Sequence, residues 1–185
     1  MRSRVFAMLL TVALTMPAMA AQGSVIERPN YDVFKDVSSQ VNRYTNFTVF
    51  DDVAASVNEG VVTLTGRVTM PYKRQDLERR VANISGVRQV QNKIVVLPVS
   101  QFDDELRYRI ARAIYGNPTF WHYAAMANPP IHIVVERGHV TLSGVVFSNV
   151  ERALARSLAT GFGEFSVKNE LKTDAEMKDL LEKMN

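Results

Sequence analysis

Side chains suited to metal binding or catalysis are few in this chain of 185 residues, which has three histidines and no cysteine. The lack of cysteine excludes disulfide scaffolds, thiolate zinc sites, cysteine nucleophiles and lipid attachment at an N-terminal cysteine. His132 and His139 are predicted to lie with Glu136 on the solvated outer face of one hairpin, without converging as zinc ligands must. His122 has no acidic neighbour in the sequence. We therefore predict no metal site and no cofactor.

Motifs for nucleophilic or phosphate chemistry are also missing from the sequence. It contains neither the nucleophile elbow of the α/β-hydrolases nor a glycine-rich phosphate loop. We predict that the protein is not an enzyme. Catalysis by residues scattered along the sequence remains an alternative, and it would require a pocket with converging polar groups.

An aromatic segment at residues 115–126 could contact either a membrane or the protein core. It holds Tyr115, Phe120, Trp121 and Tyr123, and Trp121 is the only tryptophan of the chain. Tryptophan and tyrosine favour the interface between lipid and water, because their rings are apolar and one end is polar. Large aromatic side chains also commonly fill the seam between packed elements. Both interpretations remain open at this point.

Basic residues precede the aromatic segment by about one helical turn. Each cation close to an anionic membrane contributes on the order of 1 kcal/mol, so several cations beside an inserted tryptophan would hold a protein reversibly. A solvated helix face with ion pairs to Asp104 and Glu105 is the alternative. A second basic cluster consists of Lys73, Arg74, Arg79 and Arg80 in the first copy of an internal repeat. We favour the second copy as the lipid-facing one, because its basic residues lie beside the aromatic segment. The predicted lipid-binding residues are Arg107, Arg109, Arg112, Phe120, Trp121 and Tyr123.

The first twenty residues have the pattern of a secretory signal peptide. Arg2 and Arg4 precede an uncharged stretch of about twelve residues, and Ala18 and Ala20 suit a cleavage site after residue 20. The alternative, a membrane anchor, would need roughly twenty apolar residues. Losing Arg2 and Arg4 would lower the net charge from +3 to +1, which argues against nucleic acid as a partner. We predict a protein that is soluble outside the cytoplasm and is not a lipoprotein.

An internal repeat organises the rest of the chain. The sequence from Gly60 to Gly66 recurs from Gly138 to Gly144, and residues 90–94 recur at 167–171. We predict one module over residues 31–98, a second over 101–173 and a short C-terminal helix over 174–185. The second copy carries about five extra residues near the aromatic segment.

Each copy is predicted to run helix, strand, strand, helix, strand. The fold class is α+β, with two tandem small α/β sandwich modules, each a three-stranded sheet with two helices on one face. Two-residue turns at Glu59-Gly60 and Arg137-Gly138 place all apolar hairpin residues on one side. That register pairs Val57 with Val62, Ala55 with Leu64, Val53 with Gly66, Val135 with Val140, Ile133 with Leu142 and Ile131 with Gly144.

These features resemble the BON domain. The resemblance rests on Gly60-x-Val62-Thr63-Leu64-x-Gly66-x-Val68 and on the later run from Gly86 to Ile94. The second copy matches from Gly138 to Val146 and from Val167 to Leu171, and departs at Phe162-Gly163-Glu164-Phe165. Two such copies after a signal peptide resemble the OsmY-like periplasmic proteins. The resemblance implies attachment to phospholipid membranes and a part in envelope maintenance, and it supplies no catalytic residues.

Two functions follow as expectations. The first is a non-enzymatic periplasmic protein that attaches reversibly to anionic phospholipid membrane and supports envelope integrity or osmotic-stress tolerance. The second is a chaperone-like, stress-protective module that binds other envelope proteins through its outer hairpin faces and the C-terminal helix.

Overall fold

A computed structural model describes residues 28–183 and contains both predicted copies. The predicted signal peptide, residues 1–20, lies outside the described residues. The elements of the first module are α1 (Asn30–Asn42), β1 (Asp52–Asn58), β2 (Val61–Val68), α2 (Pro71–Ala82) and β3 (Gln89–Val96). Those of the second are α3 (Gln101–Tyr115), α4 (Trp121–Ala124), β4 (Ile131–Glu136), β5 (His139–Val146), α5 (Asn149–Leu158), β6 (Ser166–Asn169) and β7 (Lys172–Thr173), followed by α6 (Asp174–Glu182). The predicted order and the α+β class are confirmed.

The two hairpins have the predicted register. Val57 pairs with Val62 in the first, and Val135 pairs with Val140 in the second. Both residues of each turn have positive φ, at 47° and 75° for Glu59-Gly60 and at 51° and 77° for Arg137-Gly138. Such turns match the twist of the flanking strands. In each module the third strand runs parallel to the second strand of the hairpin.

The second sheet departs from the predicted three strands. Its last strand is split, because β6 ends at Asn169 and β7 then pairs with β5 at Val146. The side chain of Asn169 lies at this interruption. Its oxygen accepts a hydrogen bond from the backbone of Leu171, while its nitrogen donates to the carbonyl of Arg152 on α5.

The equivalent Asn92 makes the same kind of tie in the first module. It donates to the carbonyl of Arg74 at 2.9 Å and accepts from the backbone of Ile94. Both partners are helical carbonyls, so each asparagine fixes the last strand against the second helix.

Gly66 and Gly144 stand at positions where a side chain would meet backbone. A Cβ on Gly66 would lie 2.1 Å from the carbonyl oxygen of Asp52, and one on Gly144 would lie 1.8 Å from that of Pro130. The neighbouring strand and the segment that leads into it exclude the side chain.

Each module has its own core beneath two helices. In the first, Val33, Val37 and Val41 of α1 pack with Leu77 and Val81 of α2. Burial of such side chains stabilises a fold by about 1.5–3 kcal/mol each. The second core contains Leu106, Ile110 and Ile114 of α3, the inner residues of β4 and β5, and two residues of the aromatic segment, Phe120 and Tyr123.

The loop between α1 and β1 docks the first module onto the second. The backbone N–H of Ile133, on the outer edge of β4, donates to the carbonyl of Val49 at 2.6 Å. Phe50 packs against the second core, and Phe47 lies against His132. The outer face of β4 is therefore covered, and Val134 there is 3% exposed. The prediction of a solvated face around His132 is wrong, because periodicity identifies a face but not what packs on it.

A buried ion pair fixes the start of β1 after this docking loop. Asp51 and Lys73 are both almost fully buried, with Nζ of Lys73 2.6 Å from Oδ2 of Asp51. Asp51 also accepts hydrogen bonds from the backbone and hydroxyl groups of Thr48 and Thr69. Burial raises the pKa of Asp51, but the hydrogen bonds from Lys73, Thr69 and Thr48 outweigh it and hold that pKa below its usual value. Lys73 is therefore not part of an exposed basic cluster.

Candidate membrane-binding surface

Arg107, predicted to contact lipid, is buried. Its Nη2 donates to the carbonyl of Val135 at 2.6 Å, and its Nη1 pairs with Asp104 on the preceding turn. Only 4% of its side chain is exposed. A guanidinium has several donors in a fixed plane, and this one fastens α3 to the end of β4. The lipid-binding prediction is wrong for Arg107.

Phe120 and Tyr123 are also buried, at 0% and 3% exposure. The hydroxyl of Tyr123 donates to Glu151 at 2.8 Å and accepts from the backbone N–H of Phe147 at 2.9 Å. Burial, with the hydrogen bond to Glu151, raises the pKa of Tyr123 to about 12. The packing alternative is correct for these two residues, which close the end of the second core.

Trp121 lies between those buried aromatics and is 61% exposed. Asn117 caps the short 3₁₀ turn Pro118–Phe120, and α4 then begins at Trp121. This arrangement directs Phe120 and Tyr123 inward and Trp121 outward. The indole Nε1 donates to the carbonyl of Gly116 at 3.2 Å, which holds the ring beside the C-terminal end of α3.

Arg109 and Arg112 lie on the exposed face of α3. Arg109 makes only a loose contact, 3.6 Å, with Glu105. The side chain of Arg112 is exposed and makes no hydrogen bond or ion pair with residues 28–183. Gly116 follows Arg112 by four positions on the same helix face, so the tethered Trp121 continues the line of the two arginines.

A shallow apolar depression of about 290 Å³ lies between the two arginines and the loop after α5. Tyr108, Ala113 and Phe162 line it together with Arg109 and Arg112. Tyr108 is itself 66% exposed and meets Phe50 edge to face, with centroids 5.2 Å apart. We call the set Tyr108, Arg109, Arg112, Trp121 and Phe162 the α3 surface.

Tyr108 and Phe162 are not among the lipid-binding residues predicted from the sequence, although the sequence places both near features singled out there. Tyr108 precedes Arg112 by one turn of the predicted helix, and Phe162 lies in the segment that departs from the BON pattern. Phe165 from the same segment is 73% exposed and contacts Phe102, with ring centroids 6.4 Å apart. Apolar exposure therefore extends along this side of the second module.

The basic cluster of the first module is engaged internally. Lys73 is buried, Arg79 pairs with Asp76, and the guanidinium of Arg80 lies 4.9 Å from the ring centre of Tyr44. Arg74 donates to a carbonyl of β3. On the α3 surface, by contrast, the exposed guanidinium of Arg112 is unpaired and adjoins exposed aromatic rings.

The histidines do not form a metal site. His132 lies in the seam between the modules, the ring of His139 contacts the hydroxyl of Ser166 at 2.8 Å, and Glu136 pairs with Arg67. Within residues 28–183, no three His, Asp or Glu side chains are placed to hold an ion. Over the same range, no helix is both long and apolar enough to cross a bilayer.

The two sheets, each covered by a helix pair, define a tandem repeat of one small α+β module. The family described as BON domain matches residues 35–98 and 103–175, so the chain belongs to the BON domain family. No curated protein sequence matches it significantly.

Two solved structures that are similar to this chain are of CdsD, a structural protein of the Type III secretion system of Chlamydia trachomatis. The first is 15% identical, covers 80% of this chain and 97% of its own, and has a TM-score of 0.28. The second, the C-terminal domain of CdsD, is 14% identical, covers 76% and 96%, and has the same TM-score. These similarities are too low to support a functional argument.

Proposed function

We propose that this protein attaches reversibly to anionic phospholipid membranes through the α3 surface. The observation that carries the proposal is the pair Arg112 and Trp121: an unpaired guanidinium on α3 and an exposed indole held beside the C-terminal end of the same helix. The arginines would meet lipid phosphates, and Trp121 would enter the boundary between headgroups and acyl chains.

The expected attachment is weak. Two arginines near an anionic surface contribute on the order of 1 kcal/mol each, and one tryptophan adds a modest apolar term. Arg107, Phe120 and Tyr123, which are buried, add nothing to it. Binding of this strength is reversible and depends on salt, because the charges are exposed to solvent.

The proposal makes the protein a binding module rather than an enzyme and places it in the periplasm, where the predicted signal peptide would deliver it. Membership of the BON domain family supports both statements. A role in envelope integrity or osmotic-stress tolerance would follow from its presence on the membrane surface.

Vesicle flotation tests the proposal. The chain without its predicted signal peptide, residues 21–185, should float with phosphatidylglycerol vesicles and not with phosphatidylcholine vesicles. Arg112→Glu and Trp121→Ala should each reduce the floated fraction several-fold, because both side chains are exposed and neither supports the fold. Lys93→Glu, an exposed change of equal charge on β3, is the matched control and should float normally. Equal flotation of Arg112→Glu and Lys93→Glu would contradict the proposal.

A further inference from the structure

A second apolar feature lies between the first module and the C-terminal helix α6, away from the α3 surface. It is a groove of about 650 Å³ between α1, β1 and the C-terminal helix α6. Phe34 and Val41 of α1 form its floor with residues 53–57 of β1, and Met177, Leu180 and Leu181 of α6 form the opposite wall. Binding pockets for ligands have volumes in the same range and a similarly apolar lining.

The open edge of a sheet runs along this groove. β1 pairs with β2 on one side only, and five consecutive residues of β1 line the groove. Asn58 and Val61 flank the two-residue turn and form a hydrogen-bonded pair, after which the pairs alternate. Ala55 and Val57 therefore direct their backbone N–H and C=O groups away from β2. No other group in residues 28–183 bonds to them.

The unpaired edge of β1 favours a polypeptide over an acyl chain as the molecule bound in the groove. An acyl chain in the groove would cover the unpaired backbone groups of Ala55 and Val57 without satisfying them, and leaving a buried polar group unpaired is costly. An extended polypeptide would pair with those groups and place alternate side chains on the apolar floor.

The charge around the groove favours a carboxylate on that polypeptide. Lys172 and Lys183 line the groove, and no acidic residue does. Lys183 pairs with Asp179 at 2.7 Å, whereas Lys172 has no partner in residues 28–183.

From this arrangement we infer that the groove binds an extended segment of another polypeptide, added as a strand to the edge of β1. The segment has apolar side chains at alternate positions and carries its terminal carboxylate, or an acidic residue, near Lys172. α6 forms one wall of the site and is tied to the second module by the ion pair between Arg152 and Glu176.

Selection from a library of random peptides with free C-terminal carboxylates tests the inference. The full chain is the target and Leu181→Asp is the counter-target, since that change places a charge on the apolar wall. Lys178→Asp, on the same helix but outside the groove, is the matched control. Enriched peptides should bind Leu181→Asp at least about tenfold more weakly than they bind Lys178→Asp.

Amide hydrogen exchange then locates the bound peptide. Binding should slow exchange at Ala55 and Val57, whose N–H groups face the groove, and Lys172→Glu should weaken binding several-fold. Arg112→Glu should bind the same peptides normally, which separates this site from the α3 surface. Failure to enrich peptides, binding that Leu181→Asp leaves intact, or binding without slowed exchange would overturn the inference. Dodecanoate bound in the groove while no peptide is enriched would overturn it as well.

Discussion

The ring of Phe47 in the first module lies 5.4 Å, centroid to centroid, from the imidazole of His132 in the second. The alternation of apolar and polar residues assigns His132 to the outer face of β4, and the first module covers it there. The Nδ1 atom of His132 is buried without a hydrogen-bond partner, and so is the hydroxyl of Ser143 directly across the hairpin.

The stability of the protein should decrease as the pH falls below about 6.5 because of His132. Burial lowers the pKa of His132, although the negative charges of Asp52 and Asp51 and nearby backbone groups oppose the shift. The unfolded chain therefore binds a proton at a higher pH than the folded protein does, and acid favours unfolding. Urea denaturation at about pH 5 and about pH 7.5 should show a smaller loss of stability at low pH for His132→Phe than for the wild type. Equal losses for the two proteins would show that His132 does not titrate in this way.

Loss of the carboxylate of Asp51 should destabilise the protein strongly. Asp51→Asn leaves the ammonium group of Lys73 buried without its counter-ion, and breaking a buried pair in this way costs about 3–5 kcal/mol. Asp36→Asn is the matched control, because it breaks a partly exposed ion pair with Arg28 worth less than about 1 kcal/mol. Free energies of unfolding from urea titrations compare the two. A cost for Asp51→Asn no larger than that for Asp36→Asn would contradict the prediction.

Gly144 should tolerate alanine much less well than Gly161 does. Both have positive φ, at 110° and 93°, so each substitution carries a backbone cost of roughly 1–2 kcal/mol. A Cβ at Gly161 meets nothing within 4 Å, whereas one at Gly144 collides with the carbonyl of Pro130. Thermal unfolding of the two variants measures the difference. Similar losses in Tm would mean that the collision is relieved by a small shift of the segment before β4.

The sequence was sufficient to predict the order of helices and strands, both hairpin registers and the apolar faces of α1 and α3, but not the split between β6 and β7. Turn chemistry at Glu59-Gly60 and Arg137-Gly138 fixes the pairing, and the period of two then assigns every side chain to a face. Local rules of this kind depend on near neighbours, and for that reason they needed no tertiary information.

The candidate site was predicted only in part, because tertiary contacts decide which of several neighbouring residues is buried. Arg107 and Arg109 are two positions apart on one helix, yet the first reaches a carbonyl of β4 and the second faces solvent. Phe120 and Trp121 are adjacent and point in opposite directions. His132 likewise could be assigned to a face, but the loop that covers that face comes from a distant part of the chain.

The fluorescence of Trp121 tests the central claim most directly, because it is the only tryptophan in the chain. Its emission should shift to shorter wavelength when phosphatidylglycerol vesicles are added to the full chain, and lipids brominated near the headgroup should quench it. Phosphatidylcholine vesicles should leave the emission unchanged. Protein that floats with anionic vesicles while its tryptophan emission stays unshifted and unquenched would show that the α3 surface is not the surface that meets the membrane.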